Sequence, residues 1–249
     1  MAEATSAERV FTILEMFERE RRPLSLKELS EYCRIPPSTC HSLVHTLLNR
    51  AYLYQTGRRK DLYPTRRLYD MGATIVAHDM ILQRLDPTME RLREQTEETV
   101  ILGKRQKDNV IYLEVLESPQ TIRYSANVGD MKPLHSTCIG KTVLGALRPQ
   151  ELREWLDSQS LPKVTESTIT SYARLMDALE EGRKLGYYTT RGENVVDVSA
   201  ISVGVLVNNE LLGLAVAGPS HRMEAVFPDI VARLQEAQRD LVDQGIAAA

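Results

Sequence analysis

The chain has 249 residues, 43% hydrophobic and 26% charged, with a formal net charge of −3 at pH 7. That is long enough for two modest domains with cores of their own, and the ordinary balance of charged and apolar residues excludes wholesale disorder. Three scattered cysteines, Cys33, Cys40 and Cys138, exclude a disulfide framework, and no apolar run approaches the roughly 20 residues that cross a bilayer. The opening "MAEATSAERV" is polar and lacks a signal-peptide apolar stretch, so a cytoplasmic protein with no membrane partner is expected.

The charge is uneven along the chain. Residues 1–66 carry 11 Lys and Arg against 8 acids, net +3, and the remainder carries 20 against 26, net −6. Between residues 50 and 67 stand Arg50, Arg58, Arg59, Lys60, Arg66 and Arg67 with a single acid, Asp61. A basic N-terminal portion on an acidic body suggests a polyanionic partner for that portion alone.

"TSAE" at 5–8 and "SLKE" at 25–28 match the capping box that opens helices. Val10, Ile13, Leu14 and Phe17 form one helical stripe, and Leu26, Leu29 and Cys33 form a second. Pro36-Pro37 breaks the chain, with Pro37 suited to the first turn of a third helix. On that helix Cys40, Leu43, Val44, Leu47 and Leu48 share one side. Ser38, Thr39, His41, Ser42, His45, Thr46, Asn49 and Arg50 share the other. A solvated face usually mixes Glu with Lys. This one holds hydroxyls, imidazoles and an amide with no acid, groups suited to base edges and phosphates. "YLYQ" and "DLYPT" then flank Thr56-Gly57-Arg58-Arg59-Lys60, a hairpin with a basic tip, and the whole reads as a winged helix-turn-helix. Zinc is not expected: His41 and His45 lie one turn apart, but Cys33 and Cys40 fall on the apolar stripes, away from them.

From Thr65 an amphipathic helix should run through Leu68, Met71, Ile75, Met80 and Leu82 to about Leu85, with apolar surface for a partner. Asp86-Pro87 should open a fresh helix to about Glu98. Strands follow at "TVILGKRQ" and "VIYLEVLE", joined across Lys107-Asp108-Asn109, and a third at "TIRYSA", 121–126. Helices are expected at about 138–147, 150–158 and 171–185, the last stopped by Gly186. "YYTT", "VVDVSAISVGVLV" and "ELLGLAVAG" read as strands before a final helix carrying Val226, Ile230, Leu234, Leu241 and Val242. The fold class is α+β.

Taken in order, "LSLKELSEYCRIPPSTCHSLVHTLLNRAYL", "EQTEETVIL", "PLHSTCIGKTVLGAL", "TITSYARLMDALEEGRKLGYYTT" and "LLGLAVAGP" make the chain resemble the IclR (isocitrate-lyase-regulator) family of bacterial transcription factors along almost its whole length. The resemblance implies a winged helix-turn-helix over residues 1–68 and a linker helix for dimerisation over 69–86. Over 87–249 it implies a ligand-sensing domain of GAF/profilin-like form with a mainly antiparallel sheet. It also implies a dimer or tetramer on a double-stranded DNA operator, with a small organic-acid effector.

"HSTCIGKT", residues 135–142, invites other readings. A phosphate-binding loop requires a glycine where His135 stands. A nucleophilic site requires a base and an orienting carboxylate that the pattern lacks, so no catalytic residue, metal or cofactor is expected. A helix start at Cys138, Ile139, Gly140 and Lys141 instead presents backbone N–H groups and a positive dipole end to a carboxylate. By motif position, the family's pocket would be walled here by Thr121, Cys138, Ile139, Thr190, Val198, Ala200, Ala215 and Ala217. The family's acidic run after "GY" is mostly replaced by Thr189-Thr190-Arg191-Gly192, leaving Glu193, and alanines stand where serines are common. The effector expected is therefore a monocarboxylate with an apolar or aromatic body, and Ile139→Glu is expected to abolish its effect. DNA contacts are expected from Ser38, Thr39, His41, Ser42, His45 and Thr46 on the helix and from Arg58, Arg59 and Lys60 at the tip.

Overall fold

The capping motifs at 5–8 and 25–28 open helices α1 (Ser6–Glu20) and α2 (Leu26–Tyr32) in the computed structural model, which describes residues 5–57, 60–243 and 247–248. In both, the cap hydroxyl accepts the backbone N–H three residues on, and the glutamate there accepts the cap's own N–H. Helix α3 (Pro37–Asn49) starts with Pro37 in its first turn, where no N–H is needed. Strands β1 (Leu53–Thr56) and β2 (Asp61–Pro64) pair antiparallel, and Leu24 joins the ladder through two backbone bonds to Leu62, at 3.0 and 2.8 Å.

The apolar stripes of these elements converge on one core: Ile13, Phe17, Leu29, Cys40, Val44 and Leu47, closed by Leu53 and Leu62 of the hairpin. Val10, Leu14 and Leu43 are only half-buried at its edge, and Met16, outside the expected stripe, is buried in it. Helix α4 (Arg67–Val76) completes this unit, which extends to Asp79.

The amphipathic stretch from Thr65 is not one helix to Leu85. Helix α4 ends at Val76, where His78 and Asp79 donate to carbonyls three residues back (both 3.1 Å) and tighten the last turn. Thr65 lies just outside it, accepting the Arg67 N–H (3.3 Å) and donating to the Ala51 carbonyl (2.6 Å). Helix α5 (Met80–Thr96) begins the second unit and runs straight through Asp86-Pro87. A proline inside a helix costs about 3 kcal/mol. Leu85, Met89 and Leu92 around it are all buried, and each contributes roughly 1.5–3 kcal/mol, so packing outweighs the break.

The second unit is built on an antiparallel sheet. Strands β3 (Thr99–Gln106), β4 (Asn109–Leu116) and β5 (Met131–Pro133) are followed by helices α6 (Cys138–Ala146), α7 (Pro149–Ser158) and α8 (Tyr172–Leu185). Strands β6 (Tyr188–Arg191), β7 (Val198–Val207) and β8 (Glu210–Pro219) then precede α9 (Ser220–Ala225), α10 (Phe227–Asp243) and β9 (Ala247–Ala248). The sheet order is β5-β4-β3-β8-β7-β6, with β9 also pairing β7. Strand alternation gives it two apolar faces. Leu102, Val203, Leu212, Leu214 and Val216 pack under α5 and α10, whereas Ile101, Ala215 and Ala217 face α6. Of the final helix's expected stripe, Ile230, Leu234 and Leu241 are buried while Val226 and Val242 are exposed.

No strand forms at 121–126; β5 pairs with β4 instead. Local bonds hold this stretch in a turn. Ser118 Oγ donates to the Glu97 carbonyl and accepts the Gln120 N–H (2.5 and 3.1 Å), while Arg123 reaches Glu117 (2.9 and 3.1 Å) and the Gln120 carbonyl (3.3 Å). Side chains that bond the backbone locally compete with a sheet ladder.

Candidate nucleic-acid interface and ligand cavity

Helix α3 turns Cys40, Val44 and Leu47 into the core and leaves Ser38, His41, Ser42, His45, Thr46, Asn49 and Arg50 exposed, with Thr39 half-buried. The imidazoles of His41 and His45 stack with centroids 6.4 Å apart, and Asn49 Nδ2 lies 3.2 Å from His45 Nδ1. Thr46 donates to the Ser42 carbonyl (3.0 Å), which leaves its oxygen free to accept. The row is thus ordered and free of carboxylates. Elsewhere in the unit Glu28 is occupied. The Ser25 N–H and hydroxyl, then Arg22, hold the Glu28 carboxyl down to about 2.

At the hairpin tip Gly57 and Lys60 adopt left-handed backbone (φ 68° and 55°), and Lys60 is exposed. Arg58 and Arg59 lie outside the described residues.

In the second unit, seven residues expected at a pocket come together: Cys138 and Ile139 from α6, Thr190 from β6, Val198 and Ala200 from β7, and Ala215 and Ala217 from β8. The small side chains on β8 leave the space. Two glycines bring α6 down onto the sheet: a Cβ at Gly213 would sit 2.6 Å from Ile139 Cγ2, and one at Gly103 would sit 3.3 Å from Ile139 Cδ1. The cavity that remains is narrow, about 30 Å³, room for one or two water molecules.

Two expected residues stand outside it. Thr121 is exposed, because the strand meant to carry it does not form. Gly140 faces the chain instead, and a Cβ there would lie 2.0 Å from the Leu134 carbonyl oxygen. Ile139 is only 1% exposed and wedged between the two glycines, so Ile139→Glu would bury a carboxylate in the core and is no clean test of ligand binding.

The structure adds Ile101, Tyr112, Tyr124, Thr137, Asn194 and Val195 to the walls. The Tyr112 and Tyr124 phenols are hydrogen-bonded to each other, and burial raises both pKa values. Asn194 donates to Ser136 Oγ (3.0 Å). Strand alternation could have found Ile101, which sits two residues from Gly103 on the same face as Ala215. Tyr124 and Asn194 arrive on loops and left no periodic signal.

Each polar group of "HSTCIGKT" has a partner in the fold. Thr137 caps α6: its hydroxyl accepts the Gly140 N–H (3.1 Å) and donates to the Pro133 carbonyl (3.2 Å). Lys141 is 3% exposed, bonded to Glu193 Oε1 (2.6 Å) and the Thr189 carbonyl (3.1 Å), so it is spent on the protein and does not reach for a phosphate. His135 meets the Pro162 carbonyl through Nε2 (3.0 Å), and burial lowers its pKa, leaving it neutral near pH 7. Burial pushes the Cys138 thiol up to about 11, against the pull of the Ser202 hydroxyl and the N–H groups at the helix start. A thiol held protonated is a poor nucleophile. What the site offers is a polar rim at a helix start on an apolar chamber.

Comparison with known proteins accounts for both units. Residues 6–57 match the model of the IclR helix-turn-helix domain, and residues 73–243 match that of the bacterial transcriptional regulator IclR C-terminal domain. The chain is 28% identical over 243 residues to the HTH-type transcriptional regulator KdgR of Escherichia coli, covering 96% of this chain and 92% of that one. It is 27% identical to the E. coli repressor AllR over 222 residues, 88% and 82% of the two chains. Among solved structures, the Thermotoga maritima IclR superposes with a TM-score of 0.77 at 23% identity, covering 95% and 98% of the chains. An IclR homologue from Microbacterium hydrocarbonoxydans, complexed with 4-hydroxybenzoate, superposes at 0.74 and 25% identity, covering 96% and 100%. Among the described residues no helix is long and apolar enough to cross a membrane. The chain is a DNA-binding transcriptional regulator of the IclR family.

Proposed function

We propose that an aromatic or apolar monocarboxylate, entering the cavity with its carboxylate toward the start of α6, sets the protein's affinity for its operator. The observation that carries this reading is the convergence of α6, β6, β7 and β8 on one apolar chamber beside a helix N-terminus. The M. hydrocarbonoxydans homologue's complex with 4-hydroxybenzoate supports it. Residues 1–68 serve DNA and residues 87–249 the ligand. Residues 69–86 join two copies: Tyr69, Met71, Ile75 and Val76 of α4 are all exposed, an apolar surface for a second chain and hence for a dyad-related operator.

A benzoate-sized body needs more room than 30 Å³, so binding must part the walls. The parts able to yield are Tyr124, on a stretch without strand pairing, and Val195, on an exposed loop. That need gives the ligand a differential affinity for two states, which is what regulation requires. Adding 4-hydroxybenzoate should shift operator affinity in a gel-shift assay by roughly 5–150-fold. Ala200→Phe, filling the half-buried edge of the cavity, should abolish the shift and leave ligand-free DNA binding intact. An equal shift in both proteins would put the effector elsewhere. A second reading, ligand-independent regulation, is favoured by the cavity's own side chains nearly filling it; it predicts no response to any carboxylate.

On the DNA side, Ser42→Ala or His41→Ala should cost about 1–3 kcal/mol at the operator and spare random DNA. Replacing Arg58, Arg59 and Lys60 with Ala should weaken binding to all sequences and flatten the salt dependence by about one unit of slope per lost phosphate contact. An unchanged slope would remove the tip from the interface. A loss shared equally by operator and random DNA would make α3 a positioning element only.

A further inference from the structure

The stretch that carries Tyr124 into the cavity wall is bonded to the junction between α5 and β3. Thr99 Oγ1 donates to the Tyr124 carbonyl (2.5 Å) and accepts the Ser118 N–H (3.2 Å). Ser118 Oγ donates to the Glu97 carbonyl (2.5 Å), and Gln120 Nε2 donates to the Glu97 carboxylate (2.7 Å). Between Glu97 and Thr99 stands Glu98, its side chain 2% exposed, and both of its oxygens accept from the Arg222 guanidinium of α9, Oε2 at 2.8 Å. The same Arg222 Nη2 donates to the Ile122 carbonyl (3.0 Å), so one guanidinium spans the junction and the wall stretch. Strand β8 makes room for this pair at Gly218, next to Ala217 of the cavity wall: a Cβ there would lie 2.4 Å from Glu98 Oε2.

Stability alone is a weak reason for such an arrangement. Taking a carboxylate and a guanidinium out of water costs about what their attraction returns, and an apolar pair of similar volume is often as stable. What the planar, many-donor guanidinium adds is fixed geometry between the groups it joins. On one side of it lies a wall that a benzoate-sized body has to displace. On the other lies the last turn of α5, the helix whose first residue, Met80, follows the DNA-binding unit that ends at Asp79. Glu97 separates α5 from β3 in left-handed backbone (φ 55°), and strand pairing begins only at Thr99, so the end of α5 can shift without undoing the sheet.

We propose that Arg222 and Thr99 are positioning residues for the effector response. They couple Tyr124 to the last turn of α5, so that a ligand parting the cavity wall shifts the helix joined to the DNA-binding unit. This role presupposes the carboxylate effector proposed above and places both residues outside ligand and DNA contact. Coupling is a free energy between two sites, so residues that carry it alter the response and leave each affinity by itself in place.

Arg222→Lys keeps a charge for Glu98 but cannot also span to the Ile122 carbonyl, and Thr99→Val keeps the shape while losing the hydroxyl. By calorimetry both variants should bind 4-hydroxybenzoate within about threefold of the parent, and without ligand both should bind operator as the parent does. The ligand-induced shift in operator affinity, roughly 5–150-fold in the parent, should fall below about twofold in each. Hydrogen exchange on the parent needs no variant to fold: 4-hydroxybenzoate should change protection at amides 93–98, the end of α5, as well as at 118–126. A full shift surviving in Arg222→Lys and Thr99→Val overturns the coupling and leaves the effector reading standing. A protection change confined to 118–126 does the same. Loss of ligand binding in the variants would make the two residues part of the pocket, which also overturns it. A parent that binds no 4-hydroxybenzoate, or binds it without a shift, overturns the effector reading and the coupling together.

Discussion

Lys141→Met should destabilise the C-terminal unit by about 3–5 kcal/mol, because it removes one member of a buried ion pair and leaves the other behind. The pair is short, 2.6 Å, with side-chain exposures of 3% and 10%, and Lys141 also supports the β6 backbone through the Thr189 carbonyl. Burial already raises the Glu193 pKa above its ordinary 4.5 even with Lys141 opposing the shift. Without the ammonium the folded pKa rises further. The sign follows from linkage. An unfolded Glu193 releases its proton near 4.5, whereas the folded one holds it to higher pH, so above 4.5 the unfolded state binds fewer protons and stability declines as pH rises. The deficit in Lys141→Met should therefore be smallest in acid and grow toward neutrality. The double variant Lys141→Met/Glu193→Leu should recover most of the loss, since an apolar pair of similar volume incurs no desolvation penalty. Urea titrations of the three proteins at pH 4.5 and 7.5 measure this. A single-variant loss below about 1 kcal/mol, or one independent of pH, would mean that water already reaches the pair.

Parts of this architecture were open to reading from sequence because they rest on local chemistry. The capping boxes at Thr5 and Ser25, Pro37 at a helix start and Gly186 in left-handed backbone at a helix end each need only neighbours in sequence, and each lies where the pattern puts it. The polar face of α3 was legible for the same reason. Strand β3 was too, since its apolar run Val100–Leu102 is buried on both faces of the sheet. Competing interactions hid the rest. Asp86-Pro87 has the pattern of a helix start, but Leu85, Met89 and Leu92 pay for a continuous α5 by packing on the sheet. Residues 121–126 alternate like a strand, but turn bonds from Ser118 and Arg123 intervene. Seven cavity residues followed from motif position, whereas the buried Lys141–Glu193 pair depends on side chains distant in sequence.

Gly140 carries a prediction that motif position alone would misdirect. As a pocket residue it should tolerate alanine. The structure places it against backbone, and Gly140→Ala should cost about 3–5 kcal/mol, toward the upper end for single substitutions. A Cβ would lie 2.0 Å from the Leu134 carbonyl oxygen and 2.5 Å from its carbonyl carbon and Cα. These atoms have nowhere to go. Leu134 is fully buried, Pro133 is paired with Asn109 in the sheet and bonded to Thr137, and His135 is tied to the Pro162 carbonyl. Relief requires α6 to lift from the loop. That would withdraw Ile139 from its seat between Gly103 and Gly213 and break the Thr137 cap on the Gly140 N–H. Thermal melts of Gly140→Ala, with near-UV circular dichroism to follow tertiary packing, measure the loss. A Gly140→Ala protein that melts within about 1 °C of the parent would show that the loop at Leu134 can yield, and that α6 is not seated as rigidly as these contacts require.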